Sequence, residues 1–599
     1  MSQVYTGASL FLHSLTAHGV NVAFVNLGSD HPALVEEIAQ QKVDSRKKEE
    51  EKLSIYTSPN EFVGLSAAQG YAQLTGETPA VFVHVDCGTQ NLGGGLHNVS
   101  RNRVPILIYA GASPHTSDSS LQGGRNEWIH WIQNTIDQPS IVRRFVKYVG
   151  ELRRAVSVDQ VIGRSLQMAR SEPAGPVYVW GVRESTEEFL TKEQATKQIV
   201  PSRYAPLQPM GIASSTVDQI ASLLLAATSP VIVTSYLGRD PKAVPVLGAL
   251  AKFLQIPVFQ SCPTHMNLPH SHPCHAGSSY GMANPWLNKA DLIIIVDSDI
   301  PWVELFTKPS EKAKIVHLDI DPLKTNLEMW QFGAEISVQC HSRIALQQIH
   351  EAVKTKATEF QQALADIERR KKELEEFRSN LLRSWKEAEV VKDEVTVQSA
   401  MGLLREMVPK GRKTLFLSES ITNFPLVFDH LRPDEPGRYF TSGASSLGWS
   451  LGAAVGMGVA MRRSSMFTLQ QDEKPELTVV VTGDGSYMFA IPSVAFWMAR
   501  RYDTPFLTVI LNNGGWRAPT LSMLGVHPEG VGSKMSAGDL NCSFGPEQPN
   551  YGGIAEAAGG AWYVKVENGK EMKKALGEAV DVVLSQRRCA VVQIVLPQI

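Results

Sequence analysis

Leu477-Thr478-Val479-Val480-Val481 runs without a break into Thr482-Gly483-Asp484-Gly485-Ser486, and a second apolar run, Leu507-Thr508-Val509-Ile510-Leu511, runs into Asn512-Asn513-Gly514-Gly515. A short β-favouring run that stops at a glycine-rich polar turn reads as a buried strand ending at a sheet edge. Two such units separated by room for a helix imply parallel strands joined by a crossover. In open α/β sheets, ligands sit outside the carboxyl ends of the strands, where both turns fall. The turn chemistry suits a hard cation and a phosphate. Mg²⁺ takes oxygen ligands and shares them with phosphate. Asp484 offers a carboxylate, Asn513 an amide oxygen and Gly515 a carbonyl. Gly483 and Gly485 let the main chain approach a diphosphate, and a helix starting near Ser486 would aim its first amides there. Alone, Gly-Asp-Gly is an ordinary tight turn. The paired asparagines after a second strand shift the weight toward a site.

The same rhythm extends over most of the chain, so the fold class is α/β with three doubly wound parallel-sheet domains. The first block, residues 1–190, carries Val22-Ala23-Phe24-Val25, Ala80-Val81-Phe82-Val83, Pro105-Ile106-Leu107-Ile108 and Val177-Tyr178-Val179. The charged run 44–52 inside it reads as a solvated loop or helix end. A polar, proline-containing stretch near 187–208 reads as a linker. The middle block, residues 205–350, carries Val231-Ile232-Val233, Leu292-Ile293-Ile294-Ile295 and Ile315-Val316-His317-Leu318. Residues 354–394 read as a linker helix, with Leu364, Ile367, Leu374, Phe377, Leu381 and Trp385 on one face. The last block is residues 395–599 and includes Thr414-Leu415-Phe416-Leu417.

Composition narrows the function classes. In a 599-residue chain with net charge −3 and pI near 6.6, nothing in the charge balance points to nucleic acid or an anionic membrane. Its six cysteines are scattered without a C-x-x-C pair, which supports neither a zinc ribbon nor a disulfide framework. Apolar runs are too short to span a bilayer, and the N-terminus lacks a secretory pattern. The expectation is a cytoplasmic protein with reduced thiols.

Gly-Asp-Gly followed, a strand and helix later, by Asn-Asn is similar to the signature of thiamine-diphosphate enzymes. The resemblance implies thiamine diphosphate and Mg²⁺ as cofactors, with the metal on Asp484, Asn513 and Gly515. The spacing is slightly longer than in pyruvate decarboxylases and suggests a small insertion near residues 500–503. Ser442-Gly443-Ala444-Ser445-Ser446-Leu447-Gly448-Trp449 resembles the segment that supports the cofactor's bent shape, which puts Leu447 between its rings; an ordinary core leucine is the alternative. Ser418-Glu419-Ser420 resembles the other diphosphate-side loop, so Glu419 and Ser420 join the cofactor-binding set with Gly483, Gly485 and Ser486; helix capping is the plainer reading.

Tyr56-Thr57-Ser58-Pro59-Asn60-Glu61 leads into a small-residue apolar helix and closely resembles the glutamate segment of acetolactate synthases and benzoylformate decarboxylases. The resemblance makes Glu61 the carboxyl group that exchanges a proton with the cofactor's pyrimidine ring. An apolar pocket would raise its pKa for that task. Taken alone, Glu61 is a first-turn acid favoured by the helix dipole. In this family the glutamate of one subunit meets the cofactor of another, which implies a homodimer or homotetramer.

Substrate-side residues follow from weaker likenesses. Asn26-Leu27-Gly28-Ser29-Asp30 resembles the serine-bearing loop of benzoylformate decarboxylases, with Ser29 as the active serine, and His84 falls where those enzymes keep a histidine. Asp86, Gln90, His97, Trp516, Arg517 and Lys534 are further candidates. His317-Leu318-Asp319-Ile320-Asp321-Pro322 resembles acetolactate synthases, but Val296-Asp297-Ser298-Asp299 places acids where their FAD diphosphate would lie. FAD is therefore not expected. The glutamine of acetolactate synthases is not evident near Trp131, nor are the paired histidines of pyruvate decarboxylases, which puts pyruvate in doubt. The resemblance implies a carbon-carbon lyase or carboligase acting on a 2-keto acid, with an aldehyde or keto acceptor. A simple decarboxylase releasing an aldehyde is the alternative, and a non-catalytic paralogue or a flavin-dependent oxidase are the remaining ones.

Overall fold

The computed structural model describes residues 4–44, 52–118, 120–463 and 474–598, so most of the charged run 44–52 lies outside the described residues. The first sheet holds β1 (Val22–Val25), β2 (Ser54–Thr57), β3 (Ala80–Val83), β4 (Leu107–Ala112), β5 (Tyr148–Leu152) and β6 (Val177–Val182), in the order β2-β1-β3-β4-β6-β5. The second holds β7 (Pro230–Thr234), β8 (Val258–Ser261), β9 (His275–Ser279), β10 (Leu292–Val296), β11 (Lys314–Asp319) and β12 (Ile336–Gln339), in the order β12-β11-β10-β7-β8-β9. The third holds β13 (Thr414–Glu419), β14 (Tyr439–Phe440), β15 (Leu477–Gly483), β16 (Leu507–Asn512), β17 (Trp562–Val566) and β18 (Ala590–Val595), in the order β14-β13-β15-β16-β18-β17. Neighbouring strands are parallel throughout. The first and third sheets repeat one strand order, and the second differs. Central strands such as β1, β3, β7, β10 and β16 are buried along their whole length, as continuous apolar runs require. β2 and β12 are half-exposed edges, and their mixed sequences gave no strand signal.

Two departures have plain physical reasons. The stretch near 187–208 is packed: Gly7 N donates to Glu188 O (3.0 Å) and Leu190 N to Tyr5 O (2.9 Å), so its start is paired with the N-terminal segment. The long helix Ala357–Ala388 buries Ala363, Ile367, Leu374 and Trp385 but leaves Leu364 37% exposed. Its stripe also includes Arg370, which is buried because its guanidinium donates to the carbonyls of Leu254 (2.8 Å) and Ala227 (3.2 Å). Among the described residues, no helix is long and apolar enough to cross a membrane.

The first and third sheets share one hydrophobic core, and the helices Glu61–Thr75 and Trp449–Arg462 cross within it. Small residues let the two backbones touch. A Cβ on Gly456 would lie 1.8 Å from Ala67 O, and one on Gly70 would lie 2.2 Å from Ala453 O. Neither neighbour is a flexible side-chain tip, so neither can swing aside. Gly456→Leu should therefore destabilise the protein by about 3 kcal/mol, at the upper end for overpacking. A lowered thermal midpoint, read by circular dichroism, is the expected result, and an unchanged midpoint would contradict this account of the crossing.

Candidate active site

One of the crossing helices begins at a candidate site residue, and the other begins two residues after one. Glu61 opens the helix Glu61–Thr75, whose N-cap Asn60 accepts from Val63 N (3.2 Å). The Glu61 carboxylate is gripped by two amides: Asn26 Nδ2 donates to Oε1 (2.7 Å) and Asn91 Nδ2 to Oε2 (2.6 Å). Its surroundings are thus polar, where the sequence suggested an apolar pocket. Asn26 starts the loop that follows β1, and the same loop carries Ser29 and Asp30. Asp30 is 2% exposed, and one carboxylate oxygen binds His84 Nδ1. Burial opposes charge on His84, but the Asp30 carboxylate and the more distant Glu61 and Asp86 outweigh it and hold the imidazole above its usual value. Gly28 backs this ring: a Cβ there would overlap His84 Nδ1. The loop brings Ser29, His84 and Glu61 into one neighbourhood, and the Ser29 carbonyl accepts from Arg183 (3.2 Å).

Gln133 completes this cluster. Its Nε2 lies 3.0 Å from His84 Nε2 and 3.6 Å from Cys87 Sγ, while its buried Oε1 has no partner. Which amide atom faces the ring depends on the ring's protonation, and turning the amide over would offer Oε1 to an Nε2–H. Asn91 lies in the stretch Gly88-Thr89-Gln90-Asn91-Leu92, which also resembles the family, but carried no role there; Gln133, two residues after Trp131, gave no signal, because residues 26, 61, 84, 91 and 133 meet only through the sheet edge.

The second group lies in the third domain. Ser420, Leu447, Gly483, Asp484, Gly485, Ser486, Asn513, Gly515, Trp516 and Arg517 line one cleft of about 450 Å³. Asp484 is 2% exposed; Gly485 N donates to its Oδ1 and Gly514 N to its Oδ2, both at 2.8 Å. Burial pushes its carboxyl up to about 6, against these amides, which pull it down. Gly514 and Gly515 have φ of +89° and +151°, a turn that side chains would strain. The Asn513 amide turns one atom toward Gly515 O (3.1 Å) and Asp484 Oδ1 (3.3 Å). With nitrogen there, the amide donates to both. With oxygen there, three oxygens converge on one point, the donor set a hard cation requires. The residues therefore fit Mg²⁺. Among the described residues no group of three or more His, Cys, Asp or Glu is placed to hold a metal ion.

Glu419 lies outside this cleft's lining. It is 1% exposed and its carboxylate accepts from the amides of Gly448 (2.6 Å), Trp449 (3.2 Å) and Ser450 (2.9 Å). It caps the helix Trp449–Arg462 and thereby fixes Leu447 just before it. Asn98 in the first domain holds the same loop from the other side, donating to Ser446 O (2.8 Å) and accepting from Ser446 N (3.1 Å). His97 Nε2 lies 3.3 Å from Ser445 Oγ. Asp86 opens a short helix ending at the exposed Gln90, and its buried Oδ1 has no partner. Lys534 is exposed and away from the cleft lining. The first helix after Gly483 begins at Asp484 and ends at Phe489.

At the ends of β10 and β11 the carboxyl edge of the middle sheet is filled by side chains. Lys324 Nζ contacts Asp299 Oδ1 (2.7 Å), Asp319 Oδ2 (2.8 Å) and Tyr236 OH (2.7 Å). Arg103 reaches in from the first domain, donates twice to Asp299 (2.8 and 3.2 Å) and lies 4.2 Å over the Tyr236 ring. Burial opposes ionisation of Asp299, yet Arg103 and Lys324 hold it below the usual carboxylate range. The sequence suggested acids repelling a diphosphate; the acids instead serve internal cations, and the space between them is occupied.

Three family models match the chain: "Thiamine pyrophosphate enzyme, N-terminal TPP binding domain" over residues 5–141, "central domain" over 217–349 and "C-terminal TPP binding domain" over 421–594. The chain is 24% identical over 526 residues to a benzoylformate decarboxylase of Pseudomonas aeruginosa, covering 84% of this chain and 85% of the relative. It is 24% identical over 542 residues to the large subunit of acetolactate synthase isozyme 3 of Escherichia coli, covering 88% and 85%. In fold it is similar to a thiamine diphosphate-dependent 4-hydroxybenzoylformate decarboxylase of Rhodococcus jostii, with a TM-score of 0.75 at 17% identity over 99% of this chain and 100% of that one.

Buried Asp484 makes cation binding depend on pH. In the cation-free protein its carboxyl is protonated below about 6, and only the ionised form ligates a hard cation. Apparent Mg²⁺ affinity should fall by about tenfold per unit as pH drops below 6, and level off above about 7. Trp516 lines the cleft, so its fluorescence during Mg²⁺ titrations with thiamine diphosphate present reads this directly. Asp484→Asn should remove the pH dependence along with most of the affinity.

Proposed function

Because this chain belongs to the thiamine pyrophosphate enzymes, we propose that it is a carbon-carbon lyase that decarboxylates a 2-keto acid on thiamine diphosphate and Mg²⁺, with Glu61 as its proton-exchanging carboxylate. The observation that carries this reading is the Glu61 carboxylate held between Asn26 and Asn91 beside the Asp30–His84 pair. Bound thiamine diphosphate supplies an electron sink for the carbon that loses CO₂. The chain's own part would be to hold Mg²⁺, and through it the diphosphate, with Asp484, Asn513 and the Gly515 carbonyl, and to shape the cofactor with Leu447.

Two amide donors fix both oxygens of Glu61, so the carboxylate can accept or return a proton without rotating. Asp30 raises the readiness of His84 to carry a proton, and a proton on its Nε2 can be delivered to a product carbon or steady a substrate carboxylate. Gln133 can follow either state of that ring. Ser29, on the loop of Asp30, is the candidate for the substrate carboxylate. Trp516 and Arg517 border the cleft from outside, and the exposed Arg517 can pair an incoming acid. A homodimer suits this division. No residue before Ser420 lines the cleft, so Glu61 of one copy would serve the cleft of another.

A second reading is carboligation, in which the product joins a second carbonyl. The 24% identity to an acetolactate synthase subunit favours it. Incubating the enzyme with a panel of 2-keto acids and reading products by NMR separates an aldehyde from an acyloin; turnover of none would remove both readings. Glu61→Gln should keep cofactor binding, read by Trp516 fluorescence, and lose about 10²–10⁴-fold in turnover. A variant near wild-type rate would rule out Glu61 in this role.

A further inference from the structure

Asp30 fixes which nitrogen of His84 is free to act. An ionised carboxylate only accepts hydrogen bonds. Among the described residues the one side chain or amide that donates to Asp30 is His84, through Nδ1. A second histidine lies beside the same carboxylate and does not compete. Gly28 N donates to His31 Nδ1 (3.1 Å), so that nitrogen is bare, although it lies 3.3 Å from Asp30 Oδ1. Burial holds His31 below the usual imidazole value, against the pull of Asp30. The His84 ring therefore keeps a proton on Nδ1 in both of its states, and only Nε2 changes. In the neutral ring Nε2 is a bare acceptor, and in the charged ring it is a donor. Gln133 fits both states. As it stands, its Nε2 lies 3.0 Å from His84 Nε2 and can donate to the bare nitrogen. Turned over, the amide accepts from Nε2–H.

The ring stands beside the activating glutamate and is 20% exposed. A Cβ on Gly88 would lie 3.2 Å from Glu61 Oε1 and 3.3 Å from His84 Cβ, so both side chains flank one glycine. The ring faces Asp30 and His31 from the loop after β1, Glu61 from the helix Glu61–Thr75, and Asp86 from the turn after β3. Gln133 comes from the segment after β4, with Cys87 3.6 Å from its amide. Arg183 stands behind the loop, on Ser29 O and His130. Burial works against charge on the ring, and Asp30, then Glu61 and Asp86, outweigh it. The ring thus changes state above the ordinary imidazole value of about 6.5.

Resting on the functional reading above, we propose that the Asp30–His84 pair chooses between the two products: the charged ring gives aldehyde and the neutral ring gives acyloin. In the charged state the Nε2–H bond breaks and its proton joins the carbon that has lost CO₂. The electron pair left by the departing CO₂ forms the new C–H bond. The ring is left neutral and regains its proton from water. In the neutral state Nε2 has no proton to give. The same electron pair then bonds to the carbonyl carbon of a second molecule, and that carbonyl's oxygen takes a proton from water. Asp30 is a positioning residue, since it acts through His84.

Two measurements test this. In the cofactor-free protein, diethyl pyrocarbonate labels bare imidazole nitrogens, and peptide mass spectrometry isolates the signal of His84. Its labelling rate should rise with pH to a half-point above about 6.5. In the holoenzyme, pyruvate, benzoylformate and 2-oxohexanoate are each supplied with acetaldehyde, and NMR reads the products over the neutral pH range. The aldehyde-to-acyloin ratio should fall about tenfold per pH unit above the same half-point. Asp30→Asn should move the half-point and the product crossover down together by about one pH unit or more, because a neighbouring carboxylate no longer favours the charged ring. A residue that only supported the fold would slow turnover and leave the crossover in place. A ratio that stays flat with pH while turnover persists would overturn the proposal and leave the lyase reading standing. So would a crossover away from the labelling half-point, or one unmoved in Asp30→Asn. Turnover of none of the three acids would overturn the lyase reading and the partition with it.

Discussion

The contact on which the rest depends is the backbone-to-backbone crossing of the helices Glu61–Thr75 and Trp449–Arg462. Gly70 and Gly456 permit it, because any side chain at either would meet a main-chain atom. The crossing joins the first and third domains into one core. It also sets the two ends that matter. Glu61 begins one helix, and Leu447 lies two residues before the other. Glu419 clamps the start of the second helix by three amide bonds, and Asn98 grips Ser446 from the first domain. Carboxylate, loop and cleft therefore stand on rigid elements, which is the condition for placing reacting groups closely.

The middle domain follows a different logic. Its sheet edge is packed with charge that the protein itself neutralises. Lys324 and Arg103 sit among Asp299, Asp319 and Asp321, and the ring of Tyr236 lies beneath both cations. Removing one partner from such a network leaves an uncompensated buried charge, which costs more than the pair ever gained. Arg103 belongs to the first domain, so the network fastens two domains as it fills the edge.

Strands that are central in the three sheets were legible, because parallel strands covered on both faces need uninterrupted apolar runs. Edge strands such as β2, β12 and β14 were not, since short or half-exposed segments carry mixed residues. The helix Ala357–Ala388 was legible as a stripe, although Arg370 on that stripe was not, because its burial depends on carbonyls more than a hundred residues away. In the third domain, turns directly after strands announced the lining of the cleft. Glu419 looked like part of that lining and proved to be a helix clamp, a distinction set by which way one carboxylate turns.

The sequence by itself determined the three parallel sheets, the turns that gather Asp484, Asn513 and Gly515, and the glutamate that opens a small-residue helix. Each of these is written in consecutive residues, as periodicity or as a turn at the end of a strand. The tertiary structure alone decided that Asn26 and Asn91 hold Glu61, that Asp30 pairs with His84, that Gln133 faces that ring, and that Arg103 crosses into the middle domain. Those pairs are joined across sheet edges and domain boundaries. No local pattern encodes them, because the chain brings them together only when its crossovers bury the apolar faces between them.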